Sequence, residues 1–134
     1  MAAFTPAEIE YLSTQRLGRI ATVGRDGSPH VVPVAFRYNS EDDTIDIWGG
    51  HDFAKRKKFR DVQHDGRVAF VVDDVLPPWR PRAVEIRGNA EVLETGGKTV
   101  NADFDDEMFK IHPTRILSWG LGEGSAWLNA RDVS

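Results

Sequence analysis

Ala83-Val84-Glu85-Ile86-Arg87-Gly88-Asn89-Ala90-Glu91-Val92-Leu93 puts Val84, Ile86, Gly88, Ala90 and Val92 on one side and Glu85, Arg87, Asn89 and Glu91 on the other. A period of two, with one apolar and one polar side, is that of a strand covered on one face only, as in an antiparallel sheet. Upstream, Arg67 to Asp73 carries Val68-Ala69-Phe70-Val71-Val72, a continuous apolar run of the kind found in buried strands. Leu76 to Pro81, with three prolines and Trp79, reads as the loop between them. Leu17 to Val23 forms an earlier strand, ending at the hairpin turn Gly24-Arg25-Asp26-Gly27. Val31 to Tyr38 follows, with Pro33 requiring an edge or a bulge, and Thr44 to Trp48 alternates as a third strand after the turn Asn39 to Asp43. Gly96-Gly97 ends the long strand, and Met108 to Ile111 and Ile116 to Gly120 read as extended.

Two helices interrupt the strands. Thr5-Pro6-Ala7-Glu8 combines a capping hydroxyl, a proline at the first position and a glutamate at the third, and predicts a helix to about Thr14. Gly49-Gly50 stops the third strand, and Asp52 offers a cap for a helix reaching about Gln63. Strands without regular β–α alternation predict a mainly β (α+β) fold: a small antiparallel barrel with short helices at its ends. The 134 residues fit a single domain over 1–134, with no repeat, linker or low-complexity segment.

Composition removes several function classes. There is no cysteine, hence no disulfide scaffold, thiol catalysis or cysteine-ligated metal. No apolar run approaches the ~18–20 residues of a membrane span. Met1-Ala2-Ala3-Phe4-Thr5-Pro6 has neither a basic nor an apolar signal region, so the cytoplasm is the default expectation. Net charge is −4, from 17 basic against 21 acidic residues, which argues against general affinity for nucleic acid or membrane surfaces.

Enzymatic motifs fail in turn. Gly120-Leu121-Gly122-Glu123-Gly124-Ser125 lies too near the C-terminus to open a dinucleotide fold, and Gly97-Lys98-Thr99 lacks the first glycine of a phosphate loop. His30, His51, His64 and His112 have no metal-ligand spacing and read as surface or turn residues, and Ser125 lacks the context of a nucleophile. Chemistry on this chain is therefore expected to come from a cofactor.

The charge is uneven in an informative way. Lys55, Arg56, Lys57, Lys58 and Arg60 crowd into six positions. With Phe53 at 0° and ~100° per residue, Val62 falls at about 180°, Phe59 at about 240°, Lys55 at about 200° and Lys58 at about 140°. Two lysines thus share the side of the apolar stripe. Either their stems run along the core with the ammonium in water, or Lys58 meets a phosphate or carboxylate where the helix joins the Gly49-Gly50 loop. Trp48, Trp79, Trp119 and Trp127 fall at loops or strand ends. Trp48 and Trp79 have two readings, core and dimer packing or stacking on a planar ligand, whereas Trp127 reads as packing.

In order and spacing, Leu17 to Val23 with Asp26-Gly27-Ser28-Pro29, Ile45-Asp46-Ile47, Lys57 to Val62, Gly66 to Asp73 and Val84 to Gly88 resemble the pyridoxamine 5′-phosphate oxidase-like split β-barrel family over nearly the whole chain. Gly50-His51-Asp52, Trp79-Arg80-Pro81-Arg82 and Ile116 to Gly120 are similar to its actinobacterial branch using the deazaflavin coenzyme F-420 (F420), which includes reductases of polycyclic natural products. The resemblance implies an antiparallel Greek-key split barrel that is homodimeric, with the cofactor at the subunit interface.

It implies Lys58 at the cofactor phosphate, flanked by Arg56, Lys57 and Arg60. Residues His30 to Phe36, among them Pro33, Val34 and Phe36, would lie along the ring, with Trp48, Gly50 and His51 near its edge, and Trp79 is the further candidate to stack on it. The reduced coenzyme would pass a hydride from its ring C5 to an electron-poor C=C or C=N of a small organic or polycyclic substrate, with no metal and no residue marked as proton donor. FMN-using members carry an arginine where this chain has Val32, which favours F420 over FMN. The alternatives are an FMN-dependent oxidoreductase and a non-catalytic flavin- or deazaflavin-binding protein.

Overall fold

The computed structural model describes residues 3–49, 56–100, 105–122 and 127–133, with the backbone alone at 99 and 100. Helix α1 (Pro6–Ser13) begins with the expected capping box: the Thr5 hydroxyl accepts from the Glu8 N–H, and the Glu8 carboxylate accepts from the Thr5 N–H. Strand β1 (Leu17–Val23) pairs antiparallel with β2 (Pro29–Asn39). In the turn between them Gly27 has φ 83°, a left-handed value that glycine adopts without penalty, and Asp26 accepts from the Ser28 N–H. At Pro33 β2 pairs only with β1, and β3 (Thr44–Trp48) joins from Phe36 onward. A proline in a strand requires such an open edge.

Helix α2 (Lys57–His64) starts later than the Asp52 cap predicted: Arg56 occupies the N-cap in an extended conformation without a side-chain cap bond, and Asp52 lies outside the described residues. Strands β4 (Arg67–Leu76) and β5 (Arg80–Leu93) form a long hairpin. The expected loop shrinks to Pro77-Pro78-Trp79, because pairing continues to Leu76 opposite Arg80. After the short helix α3 (Gly97–Val100), β6 runs unbroken from Met108 to Trp119. The two extended stretches read at Met108 to Ile111 and Ile116 to Gly120 are one strand, continuous through Pro113, which faces Gly88 where the register shifts. A Cβ at Gly88 would lie 2.1 Å from the His112 carbonyl oxygen, so the strands approach this closely only over glycine. Strand β7 (Leu128–Asp132) was not anticipated; its mostly exposed residues carry no apolar alternation.

The strands follow the order β3-β2-β1-β4-β5-β6-β7, and β3 also pairs with β6. That pairing, Ile45 to Trp48 against Ile111 to Met108, closes a six-stranded antiparallel barrel, while β7 continues from the other half of β6. Strand β3 has neighbours on both edges, and all five of its residues are buried. Phe36 and Phe70 meet edge to face at 5.3 Å inside the barrel, and Phe59 of α2 stacks on Phe109 of β6 at 5.4 Å. Each such side chain contributes about 1.5–3 kcal/mol by leaving water. Phe59 and Val62 thereby fix which faces of α2 remain available.

Candidate functional site

Helical spacing sorts the basic run. Lys57, Arg60, Asp61 and His64 stand three and four residues apart, on one face of α2. With Arg25 and Asp26 of the β1–β2 turn and His30 of β2, they line a polar cleft of about 840 Å³. Asp61 lies at its base, 3% exposed. Its carboxylate accepts from the Thr22 hydroxyl at 2.9 Å, faces His30 Nδ1 at 3.0 Å and Lys57 Nζ at 3.4 Å. Burial alone would raise the Asp61 pKa; the bonds from Thr22, His30 and Lys57 outweigh it and hold the carboxyl below its ordinary range.

Lys58 points elsewhere. It is half-buried beside the cleft rather than in its lining. Burial, and then the charge of Arg56, push its ammonium pKa down. A cation so placed gains from any anion brought next to it. Arg56 itself is exposed at the helix start.

The other expected site residues divide. Val34 and Phe36 are core side chains, so only their backbone can meet a ligand, whereas Pro33 is exposed on the opposite face of β2. Trp48 ends β3 buried, paired with Met108. Gly50 and His51 lie outside the described residues. Trp79 is 75% exposed at the tip of the β4–β5 hairpin. Ten residues of β4, about 33 Å of strand, separate that tip from the end nearest α2. The single chain therefore gathers Lys57 and Arg60 with Lys58 on the adjoining flank, but does not bring Trp79 to them.

Sequence reasoning missed Asp61, Thr22 and Arg25; it read His30 and His64 as surface or turn residues, and only the resemblance put His30 on the strand beside the cofactor ring. The signal was present for Asp61: a carboxylate between two core positions, Phe59 and Val62, needs a polar partner. Lys57 is a local partner four residues before it, but Thr22 and His30 come from β1 and β2, and no local pattern reveals them. Arg82, by contrast, is committed to structure. It donates twice to Asp74, at 2.9 and 2.6 Å, and lies 4.8 Å over the Tyr11 ring, whose hydroxyl also donates to Asp74.

On the outer face of the barrel, Ala21, Val31, Ala69 and Val71 line a shallow apolar hollow of about 260 Å³ with Arg19 and Glu85 at its rim. Val31 is 66% exposed there. Among the described residues no three His, Asp or Glu side chains cluster as a metal site requires, and no helix is long and apolar enough to cross a membrane.

Comparison with known proteins agrees with the barrel fold. Residues 4–120 match the family model of pyridoxamine 5′-phosphate oxidase. The chain is 48% identical to the 5a,11a-dehydrotetracycline/5a,11a-dehydrooxytetracycline reductase of Streptomyces rimosus, over 98% of this chain and 94% of that protein. Among solved structures it is similar in fold to conserved hypothetical protein Rv2991 from Mycobacterium tuberculosis, with a TM-score of 0.72 at 22% identity over 89% of this chain and 86% of that one. It is also similar to an FAD-binding protein from Mesorhizobium loti, with a TM-score of 0.63 at 21% identity over 86% and 91%.

Proposed function

The chain belongs to the pyridoxamine 5′-phosphate oxidase family, and we propose on that footing that it is a reductase of a polycyclic substrate that uses reduced F420. An oxidoreductase acting on a polycyclic compound is the reading the dehydrotetracycline reductase supports, since that protein matches nearly end to end. The observation that carries the cofactor assignment is the arrangement on α2. Lys58 is a half-buried cation with a depressed pKa, and Lys57, Arg60 and Arg25 lie around an adjoining cleft. This is more positive surface than one phosphate needs, and it fits a phosphodiester continued by a carboxylate tail.

The competing FMN reading needs an arginine to replace the one absent at Val32. Arg37 and Arg19 are the two near enough in sequence, and both are engaged: Arg37 with the buried Asp46 at 3.4 Å, Arg19 with Asp73. Freeing Arg37 would leave Asp46 with one fewer cation, at a cost in stability.

When bound, the reduced deazaflavin supplies a hydride. The chain supplies orientation and exclusion of water: Lys58 and the cleft hold the anionic end, and the β2 backbone offers a rigid edge for a planar ring. Two copies paired through the outer face around Val31 would enclose the reacting groups, and the hairpin tip bearing Trp79 would come from the partner. The test is fluorescence titration of the purified protein with F420 and with FMN, at low and moderate salt. F420 should bind about 10- to 150-fold more tightly, the range for one lost charge-assisted contact, and its advantage should shrink with salt. Equal or tighter FMN binding at both salts would make the protein an FMN oxidoreductase instead. Single-turnover oxidation of the bound reduced coenzyme by an added enone separates a reductase from a carrier.

A further inference from the structure

Among the polar groups of the cleft that the reading above does not use is His30. His30 is a third exposed, with Nδ1 3.0 Å from Asp61. Asp61 is fixed from the other side by Thr22 and is ionised, since its pKa is held low. An ionised carboxylate only accepts, so Nδ1–H donates to it and Nε2 is left for the cleft, where it donates to an anion when the ring carries its second proton. The ring also has a seat built for it: a Cβ at Gly24 would lie 2.7 Å from His30 Cε1. A side chain held by a buried carboxylate and packed on bare backbone is preorganised rather than merely present.

We propose that the Asp61–His30 pair forms a directional anion subsite with Lys57, Arg60 and Arg25, in which Asp61 is a positioning residue and the Nε2–H of the protonated His30 ring donates to a phosphate or carboxylate oxygen. The inference rests on the anionic-cofactor reading and adds a second contact region, on a different face of α2 from Lys58. The surrounding charges are Lys57, Arg60 and His64 from α2, Arg25 and Asp26 from the β1–β2 turn, and Asp61 beneath. Asp26 accepts from the Ser28 N–H in its own turn. The arms are flexible cations; His30 is the rigid one, and rigidity supplies direction.

The sign of the Asp61 effect tests the idea. If Asp61 is only a nearby negative charge, Asp61→Asn should strengthen anion binding. If it positions His30 it should weaken it. The probe is inorganic pyrophosphate, followed by the ring-nitrogen resonances of the histidines and by calorimetry. In the wild-type protein the neutral His30 ring should show the Nδ1–H tautomer, and pyrophosphate should shift its Nε2 saturably to the protonated form while leaving His112, paired with Glu91 on the surface, unmoved. Asp61→Asn should lower pyrophosphate affinity about three- to tenfold and change the His30 tautomer signature.

His30→Gln, which leaves the Thr22–Asp61 bond intact, should lose affinity by a similar factor and reports even if the Asp61 variant folds poorly. Equal or tighter binding by a folded Asp61→Asn protein, or by His30→Gln, overturns the proposal, as does a wild-type His30 that pyrophosphate does not move. Lys58→Ala should leave the pyrophosphate response of His30 in place. A wild-type protein that binds pyrophosphate at His30 but not F420 would therefore refute the cofactor assignment and leave this subsite standing.

Discussion

Arg131 in β7 grips Glu8 in α1 with both ends of its guanidinium, Nη2 to Oε1 at 2.6 Å and Nη1 to Oε2 at 3.0 Å, across 123 residues of chain. Glu8 is fully buried, and it also accepts from Ser118 at 2.5 Å. Removing the arginine strands a buried carboxylate. Arg131→Ala should therefore cost about 2–4 kcal/mol in urea unfolding, below the range for fully buried pairs because Arg131 is a quarter exposed. Arg115→Ala, which breaks the solvent-exposed pair with Asp132 in the same strand, should change stability little. Similar losses for the two would mean that β7 is held by its ladder alone.

Glu8 and Asp61 set the response to acid. Burial raises both pKa values, but Arg131, Ser118 and Thr5 outweigh it at Glu8, and Thr22, His30 and Lys57 at Asp61; both end below their ordinary 4.5 and 3.8. A carboxyl whose folded pKa is depressed contributes stability that is present above its unfolded value and is lost as pH falls through its folded value. The melting temperature should hold from neutral pH down to about 5 and drop below that. Glu8→Gln should be less stable at pH 7 and should lose less on acidification. An equally steep fall would place the acid response elsewhere.

Lys58→Ala should weaken F420 binding by about 1.5–3 kcal/mol, the scale of a charge-assisted hydrogen bond. The ligand-free protein should lose little stability, because burial and Arg56 already disfavour the ammonium. Lys98→Ala, in α3 and outside the basic run, is the control. Equal cofactor affinity in the two variants would remove Lys58 from the site.

Light scattering should give a particle of about 30 kDa, twice the 15.0 kDa chain. Val31→Glu should return it to one chain, since the side chain stands exposed in the apolar hollow on the outer face. Its monomer should melt normally, because Val31 contributes little to the barrel interior. A wild-type monomer at micromolar concentration, or a Val31→Glu dimer, would move the interface or abolish it.

The local code carried much of this architecture. The capping box at Thr5 and Glu8 and the Asp26-Gly27 turn are short-range devices, and β1, β3 and the first helix lie within a residue or so of where their patterns place them. The alternation from Ala83 to Leu93 sufficed for an antiparallel sheet. Limits of strands were harder to read wherever a proline intervened. Residues 112–115 fell between two extended stretches because Pro113 is accommodated by Gly88 across the sheet, and Pro81 looked like loop because its pairing with Val75 is a property of the hairpin.

What the chain determined alone was its period, its turns and its surplus of positive charge between Lys55 and Arg60. Tertiary structure alone decided which of those charges face the same space. Packing of Phe59 and Val62 into the barrel rotates α2 so that Lys57 and Arg60 line one cleft and Lys58 sits on its flank. Two partners of Asp61, Thr22 and His30, lie 39 and 31 residues away, in β1 and β2, and Glu8 meets Arg131 only because β7 returns along β6. Periodicity reports what a residue's neighbours along the chain allow. Burial of a charge depends on neighbours across it, and these exist only once the barrel has closed.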